Sequence, residues 1–314
     1  MLAFKCEQQI VNINGTLMGG KMGELPTVLV GSIFHKKHYI VSDAIKGQFD
    51  HKMAKDLLKR EKKHSTETGN PRIIDVVAET SEAMFKYLDF ILENTEEPFL
   101  VDSPLAKVRM AGVRFLSKHG GLERAIYNSI EAQSSQEELD CLAENGVRNV
   151  MIMAFGTKYL KPTKRLNLLL GEGNTETPGL IDRVKETGVE NILIDPGVLD
   201  VPSNSWSTKA IWEIKDKTGY PAGCAPSNAL YTWLRHRKMQ SPQLQACGAA
   251  VFVLPIYYGA NFLFYGPLQN AEWVYPAIAV ADAMVAYSGK LIGTKPLSQE
   301  HPLYKILKPA TSLS

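Results

Sequence analysis

Cysteine is scarce in this chain and scattered. Its four cysteines, Cys6, Cys141, Cys224 and Cys247, form no C-x-x-C pair and have no histidine at metal-ligand spacing. This pattern indicates neither a zinc site nor a disulfide framework. We therefore expect no metal bound by this chain and a reducing, cytoplasmic location.

Neither sign of charge dominates, and no uninterrupted apolar run is long enough to suggest a membrane span. The 35 basic and 33 acidic side chains leave a net charge of +2 and form no basic stripe, so nucleic acids are not expected partners. Pro255, Gly259 and Asn261 interrupt the apolar segment at 247–266. That segment predicts a buried helix, a turn and a last strand. The first residues lack the basic-then-apolar order of a signal peptide.

Eight short apolar runs alternate with helix-like stretches along the chain. They are TVLVGSIF (27–34), RIIDVVAE (72–79), FLVD (99–102), RAIYNS (124–129), NVMIMAF (149–155), NILID (191–195), AGCAP (222–226) and NFLFYG (261–266). Runs of this kind are typical of parallel strands buried on both faces. They predict an α/β fold, a single (β/α)8 TIM barrel. A doubly wound sheet is the alternative, but it needs a glycine-rich loop after the first strand, where VGSIFHKKH has none.

The first residues predict a β-hairpin that caps the closed end of the barrel. FKCEQQIVNI and TLMGG are joined at Asn14-Gly15, a dipeptide that favours the positive φ angles of a tight turn. We therefore divide the chain into a hairpin, residues 1–24, and a barrel domain, residues 25–314. The Gly-Glu-Gly segment at 171–173 lacks the third glycine of a nucleotide-binding loop and is predicted to be a flexible cover for the site.

Four polar residues follow the predicted third, fourth, sixth and seventh barrel strands. They are Asp102, Asn128, Asp195 and Asn228. The carboxyl ends of barrel strands meet at one mouth, where such enzymes keep their chemistry. Two carboxylates and two amides suit a flat, donor-rich heterocycle such as a pterin better than a phosphate or a metal ion. Each residue also has a structural interpretation, because Asp and Asn are common helix caps and turn residues.

Other candidates are weaker. Asp75 and Glu79 are predicted on one face of the second strand, where Glu79 is either a ligand contact or part of a rim salt bridge. Ser227 is either a ligand contact or the cap of the following helix. His35 and His38 could shuttle protons, although histidines in a lysine-rich loop are more often solvated.

Sequence motifs in order along the chain carry a family resemblance. FLVDSP, IYNSI, LIDPG and PSNAL match the strand ends of the pterin-binding methyltransferase superfamily. Over nearly its whole length the chain resembles the H-subunit family of tetrahydromethanopterin S-methyltransferase, with further matches at GELPTVLVGSIF, STETGNP, AIYNSIEAQ and LFYGPLQNAEWVYPAIAVAD. Within that family it is similar to bacterial methyltransferases that take a methyl group from a corrinoid protein in glycine betaine or methylamine demethylation.

The resemblance implies a homodimeric methyltransferase that moves a methyl group between a methyl-corrinoid protein and N5 of tetrahydrofolate, or of tetrahydromethanopterin as in archaeal relatives. It implies that Asp102, Asn128 and Asp195 bind the pterin, with Glu79 and Ser227 as further contacts, and that Asn228 is the catalytic residue at N5. The chain has no Asp-x-His-x-x-Gly cobalt-ligand motif, so we expect a partner protein to carry the corrinoid.

Two alternatives stay open. The first is a pterin-binding or docking component of a larger methyltransferase complex that has no activity of its own. The second is an enzyme like dihydropteroate synthase, whose family keeps a lysine after strand seven and an arginine after strand eight. This chain has PSNAL and FYGPL at those places, which disfavours the second alternative.

Overall fold

The computed structural model describes residues 3–171, 178–235, 237 and 240–307. Within these ranges the strands are β1 (Ile10–Ile13), β2 (Thr16–Gly19), β3 (Val28–Ile33), β4 (Val41–Asp43), β5 (Gln48–Phe49), β6 (Arg72–Val77), β7 (Phe99–Asp102), β8 (Ala125–Ile130), β9 (Asn149–Met153), β10 (Asn191–Asp195), β11 (Gly223–Cys224) and β12 (Phe262–Pro267). The α-helices are α1 (His51–Thr68), α2 (Ser81–Asn94), α3 (Ala106–His119), α4 (Gln136–Glu144), α5 (Pro162–Leu170), α6 (Leu180–Lys185), α7 (Asn204–Thr218), α8 (Pro226–Leu234), α9 (Ser241–Tyr257), α10 (Ala271–Gly289) and α11 (Pro302–Leu307). Short 3-10 helices span Leu122–Arg124, Leu268–Asn270 and Lys290–Ile292.

Eight of these strands form a parallel barrel. Their order is β10-β9-β8-β7-β6-β3-β12-β11. A parallel bridge between Ile194 and Ala222 joins the two ends of the sheet, and the backbone N–H of Ile194 donates to the carbonyl of Pro221 at 3.0 Å. Each barrel strand is followed by at least one helix. The predicted (β/α)8 barrel is therefore confirmed.

The second barrel strand is shorter than predicted. The sequence places Glu79 within it, but β6 ends at Val77. The N–H of Ala78 still bonds to the carbonyl of Asp102, at 3.0 Å, and the chain then turns because Thr80 caps α2 by accepting a hydrogen bond from Ala83. The expectation that Asp75 and Glu79 share one face of this strand is wrong, since Glu79 lies in the turn.

The N-terminal hairpin covers one end of the barrel, as predicted. β1 and β2 pair antiparallel across Asn14 and Gly15, whose φ angles are 47° and 87°. Val11 and Met18 are buried in one apolar cluster with inward residues of the barrel strands, Leu193 among them. Because these residues lie toward the amino ends of the strands, the hairpin closes that end and leaves the other end as the mouth.

The apolar segment at 247–266 has the predicted order of helix, turn and strand, but its helix is only partly buried, since Leu254 and Tyr257 are exposed. It forms the second half of α9, a turn at Gly259 with φ 94°, and then β12. In the ranges that the structure describes, no helix combines the length and apolar character needed to span a bilayer.

Candidate active site

The inner face of the barrel changes from apolar to polar along its strands. Side chains alternate across a strand, so residues two apart share a face. Leu100 of β7 lies in the apolar cluster beneath the hairpin, and the next inward residue is Asp102 at the mouth. The same step leads from Leu193 to Asp195 on β10. Ionisable side chains therefore gather at the end of the barrel where such folds carry active sites.

A cavity of about 380 Å³ opens at this mouth. Its volume lies in the range of small-molecule pockets. The predicted site residues that line it are Asp102, Asn128, Asp195, Ser227 and Asn228. Glu79 is half-buried in the turn before α2 and is not among the lining residues that the structure describes.

Asp102 and Asn128 lie side by side as register partners on β7 and β8. Helix α3 begins after Leu105 with no side-chain cap, so the interpretation of Asp102 as a helix cap is wrong. Burial raises the pKa of Asp102 to about 6, and hydrogen bonding with Asp75, the charge of Arg109 and hydrogen bonding with Asn128 oppose that shift. The Asn128 side chain is thereby engaged with a pocket carboxyl group.

Asp75 is part of the site, a role that the sequence pattern suggested for Glu79 on the same predicted strand and not for Asp75. It lies on β6 opposite Ser32 of β3 and Leu100 of β7, lines the cavity and is 5% exposed. Burial, the charge of Asp102 and a hydrogen bond with Asp102 raise the pKa of Asp75 well above its ordinary value. Its Oδ1 atom has no hydrogen-bond partner among the described residues. An ionisable residue two positions after the inward Ile73, within the apolar run RIIDVV, was the available signal.

Arg109 of α3 is a buried cation beside these carboxyl groups. Its Nη1 donates to the carbonyl of Ser103 at 2.7 Å, and its Nη2 donates to Oε1 of Glu138 at 2.5 Å. The hydroxyl of Tyr127 donates to the same Glu138 oxygen. Among the described residues that line the cavity, Arg109 carries the sole positive charge. The two hydrogen bonds hold this charge in place next to Asp102.

Asp195 has both a turn role and a place in the cavity. Its Oδ1 accepts a hydrogen bond from the N–H of Gly197 at 2.6 Å, which is the turn that Asp-Pro-Gly favours. The residue is nevertheless 2% exposed and lines the cavity. Burial raises the pKa of Asp195 to about 7, while the Gly197 hydrogen bond and the charge of Arg165 oppose the shift. The two interpretations of this residue are therefore compatible.

Ser227 and Asn228 belong to the first turn of α8. The helix begins at Pro226, and its cap position is Ala225 with no side-chain cap bond, so the interpretation of Ser227 as a cap is wrong. Ser227 is buried and Asn228 is exposed, although both line the cavity. Gly266 of β12 faces them with φ 84°, and a Cβ there would lie 3.3 Å from Cβ of Ser227. A glycine keeps this wall open.

The loop histidines are not simply solvated. His38 is 2% exposed, and its ring centroid lies 4.9 Å from that of His35. Burial, followed by the nearby charge of His35, lowers the pKa of His38 to about 4. Neither histidine is among the described residues that line the cavity. Two of the three residues of the predicted cover at 171–173 lie outside the described ranges, which omit residues 172–177.

The site combines hydrogen-bond acceptors and donors but offers little positive charge. The carboxyl groups of Asp75, Asp102 and Asp195 accept N–H donors, and the amides of Asn128 and Asn228 do both. Arg109 is already paired with Glu138. This arrangement favours a neutral, N–H-rich heterocycle over a phosphorylated ligand. Within the described residues, no group of three or more His, Cys, Asp or Glu side chains is arranged to hold a metal ion.

Sequence comparison extends the resemblance to the whole chain. Residues 6–297 match the family described as the tetrahydromethanopterin S-methyltransferase MtrH subunit. The chain is 33% identical over 311 residues to the H subunit of tetrahydromethanopterin S-methyltransferase from Methanothermobacter thermautotrophicus, covering 98% of this chain and 100% of that protein. It is 34% identical over 315 residues to the same protein of Methanosarcina acetivorans, again covering 98% and 100%.

Structure comparison identifies barrels of the same fold. The dihydropteroate synthase of Yersinia pestis superimposes with a TM-score of 0.60 at 15% identity, covering 88% of this chain and 99% of that one. The dihydropteroate synthase of Xanthomonas albilineans with 4-aminobenzoic acid gives a TM-score of 0.59 at 17% identity, covering 89% and 98%. At these identities the likeness shows the fold alone.

Proposed function

Because the chain belongs to the MtrH family of tetrahydromethanopterin S-methyltransferase, we propose that it moves a methyl group between a methylated corrinoid protein and N5 of a tetrahydropterin. The observation that carries the proposal is the convergence of Asp102, Asn128, Asp195 and Asn228 on one cavity at the barrel mouth. These residues come from separate strands and loops, and their hydrogen-bonding groups match a ring with several N–H donors.

The carboxyl groups bind and orient the ring. A tetrahydropterin presents an amino group and ring N–H donors along one edge, which Asp102 and Asp195 accept while Asn128 offers a mixed donor and acceptor. Each charge-assisted hydrogen bond contributes about 1.5 to 3 kcal/mol. The three contacts come from β7, β8 and β10. We call the four adjacent strands β7 to β10 the gripping half of the barrel wall.

Asn228 lies on the other half and at the exposed side of the cavity, where a large partner can approach. Methyl transfer is an in-line displacement at carbon, so the protein contributes mainly by alignment, worth about 7 to 11 kcal/mol of the barrier. The Asn228 amide hydrogen-bonds N5 and stabilises the charge that changes there. A partner protein supplies the corrinoid, because this chain lacks the Asp-x-His-x-x-Gly motif.

The preferred pterin is proposed to be tetrahydrofolate, with tetrahydromethanopterin as the alternative. The archaeal relatives are named for tetrahydromethanopterin, whereas the bacterial branch that the sequence resembles uses tetrahydrofolate. Parallel assays with the two methyl acceptors at equal concentration decide between them. Faster transfer to tetrahydromethanopterin would reject the tetrahydrofolate preference and leave the reaction class unchanged.

We also propose that the protein is a homodimer that joins through α9 and α10. Both helices are rich in apolar residues on all sides, a pattern of helices that are buried. Val280, Met284 and Tyr287 form an exposed stripe on α10, and Leu254 and Tyr257 are exposed on the adjacent α9. Light scattering of the purified protein should give twice the chain mass, and Val280→Lys with Met284→Lys should give monomers. A monomeric parent protein would contradict this assembly.

A pterin-binding component without activity of its own is the second candidate. It shares every contact described above and differs only in whether the chain transfers methyl groups alone. The dihydropteroate synthase alternative is less suited. The described lining residues after β11 and on β12 are Ala225, Ser227, Asn228, Phe264 and Gly266, with no lysine or arginine among them.

One assay tests the proposal directly. The purified chain is mixed with methylcobalamin, or with a methylated corrinoid protein, and with tetrahydrofolate, and the loss of the methyl-cobalt absorption band is followed. We expect methyltetrahydrofolate to form, and to form much more slowly with Asn228→Ala. Asp89→Asn, on an exposed face of α2, is the matched control. Pterin binding without any transfer would support the docking component instead.

A further inference from the structure

Asp75 and Asp102 form a pair of buried carboxyl groups on neighbouring strands. Both line the cavity, and a hydrogen bond joins them. Two carboxylates in contact repel each other, so a pair of this kind retains one proton between its members. The proposed methyl transfer needs a group that takes or returns the N5 proton, and Asn228 cannot do so near neutral pH.

The surroundings of the two carboxyl groups differ. Asp102 faces the Arg109 guanidinium from α3 and the Asn128 amide from β8. Among the described residues, the neighbours of Asp75 carry no positive charge. They are the neutral Ser32, its register partner on β3, and Asp102 itself. A cation favours the charged form of the nearer acid, so the negative charge belongs on Asp102.

Arg109 itself is held in place by hydrogen bonds to neighbouring groups. Glu138 of α4 accepts from both Arg109 and the Tyr127 hydroxyl, and the carbonyl of Ser103, next to Asp102, accepts from Nη1. Glu131, in the loop after β8, also lines the cavity and lies near this cation. Arg109 thus acts on the pair as a positioning residue, through its fixed charge.

We propose that Arg109 gives the two acids opposite roles: Asp102 binds the ligand as a carboxylate, and Asp75 is the carboxylic acid that exchanges a proton with it. The unpartnered Oδ1 of Asp75 is available for this exchange. Asp75 on β6 and Asn228 at the start of α8, just after β11, both lie outside the strands of the gripping half, with Asp75 at its border beside β7. In this proposal the ring edge that carries N5 turns toward these two residues.

The proton and electron pair balance in both directions. When N5 gains the methyl group, the new N5–C bond uses the nitrogen lone pair and the donor keeps the electron pair of the bond that breaks. The N5 proton then passes to Asp75 in the fraction of the protein in which Asp75 has already released its own proton to solvent, a fraction that grows as the pH rises. When N5 loses the methyl group, the N5–C electron pair stays on nitrogen and takes the proton of neutral Asp75. The exchange rests on the proposed function, whereas the charge assignment does not.

The charge assignment can be tested without any ligand. Protein labelled with ¹³C at aspartate carboxyl carbons is titrated by NMR between about pH 4 and pH 9, with Asp75→Asn and Asp102→Asn used for assignment. We expect Asp102 to ionise first and Asp75 to keep its proton to the higher pH. Arg109→Met should raise the Asp102 midpoint by about 1 to 3 pH units, and Arg109→Lys should restore most of it. Ionisation of Asp75 before Asp102 in the parent protein overturns the proposal, even if Arg109→Met does not fold.

The exchange role is tested by single-turnover methyl transfer with saturating tetrahydrofolate. Asp75→Asn should lower the rate about a hundredfold or more and remove its dependence on pH, with pterin affinity nearly unchanged. Asp89→Asn should match the parent protein. Transfer by Asp75→Asn at the parent rate and with the parent pH profile overturns the exchange role. If the parent protein itself transfers no methyl group, the proposed function fails, and the NMR titration still decides the charge assignment.

Discussion

The two ends of the barrel use the same strands for opposite purposes. At the closed end, inward side chains such as Leu100 and Leu193 pack with Met18 of the hairpin in an apolar cluster. At the mouth, the next inward residues on the same two strands are Asp102 and Asp195. Apolar burial at the closed end stabilises the fold, whereas burial of carboxyl groups at the mouth opposes it. One strand therefore contributes stability at its amino end and binding capacity at its carboxyl end.

A second comparison concerns two buried acids. Glu61 is buried between α1 and the outer face of the barrel, and its carboxylate accepts from Arg72 at 3.1 Å, from Tyr265 at 2.5 Å and from Tyr275 at 3.2 Å. Asp75 faces the cavity and keeps one oxygen without a partner among the described residues. Buried polar atoms in native proteins are normally paired, so an unpaired carboxyl oxygen on a residue that lines a cavity is available to a ligand.

The largest expected effect is at the closed end. Leu193→Ala should lower the free energy of unfolding by about 2 to 5 kcal/mol, because it removes a fully packed side chain and leaves a cavity. Urea unfolding measures the loss. Pterin affinity, measured where the variant is fully folded, should stay at the parent value. A parallel loss of affinity would mean that the two ends are not independent.

At the mouth, Asn228→Ala should lower the transfer rate about ten- to thousandfold. The expected loss in rate exceeds the loss in affinity, since a contact that strengthens in the transition state acts on kcat. Single-turnover transfer with saturating pterin measures it, and Asn128→Ala, which should act mainly on affinity, is the comparison. Transfer at the parent rate would leave Asn228 with a purely structural role in α8.

Asp102→Ala and Asp195→Ala should each weaken pterin binding by about 1.5 to 3 kcal/mol, the scale of one lost charge-assisted hydrogen bond. Calorimetry with tetrahydrofolate measures the affinity. Neither variant should unfold the barrel, in contrast to Leu193→Ala. Unchanged affinity together with a lower melting temperature would show that these carboxyl groups only support the loops.

The smallest effect is on the pH dependence of stability. The folded-state pKa of Asp195 is about 7, above its ordinary value near 4, so the folded protein binds more protons between these two values and loses stability as the pH rises through them. Asp195→Asn removes this loss of stability. The free energy of unfolding of the variant, relative to that of the parent, should therefore rise by about 1 to 2 kcal/mol between pH 5 and pH 8, a figure reduced for water in the open cavity. A pH-independent difference between the two proteins would contradict the buried, raised pKa.

Much of the fold could be predicted because its signals are local. The bounds of β7 and β10 match the predicted strands, and the Asn14-Gly15 turn joins β1 and β2 as expected. Glu79 was misplaced because the end of β6 is decided by Thr80, which begins the next helix. His38 was misjudged because its burial depends on how the loop packs, and no local pattern records that packing.

The sequence indicated the hydrogen-bond acceptors of the candidate site but not the buried positive charge beside them. Asp102, Asn128 and Asp195 each follow a recognisable apolar strand, so the barrel rule alone brings them together. Arg109 lies in the first turn of α3, and an arginine on a helix is ordinarily a surface residue. Its contact with Glu138 depends on the packing of α3 against α4 and β8.

The sequence by itself determined the alternation of strand and helix and the parity of side chains along each strand, because both follow from backbone geometry and nearby residues. It thereby determined which side chains face inward. The tertiary structure alone decided which strands adjoin, that Asp75 and Asp102 influence each other's ionisation, and that the charge of Arg109 acts on Asp102. Ionisation depends on burial and on charges contributed by distant parts of the chain, so the protonation pattern of the site exists only once the barrel has closed.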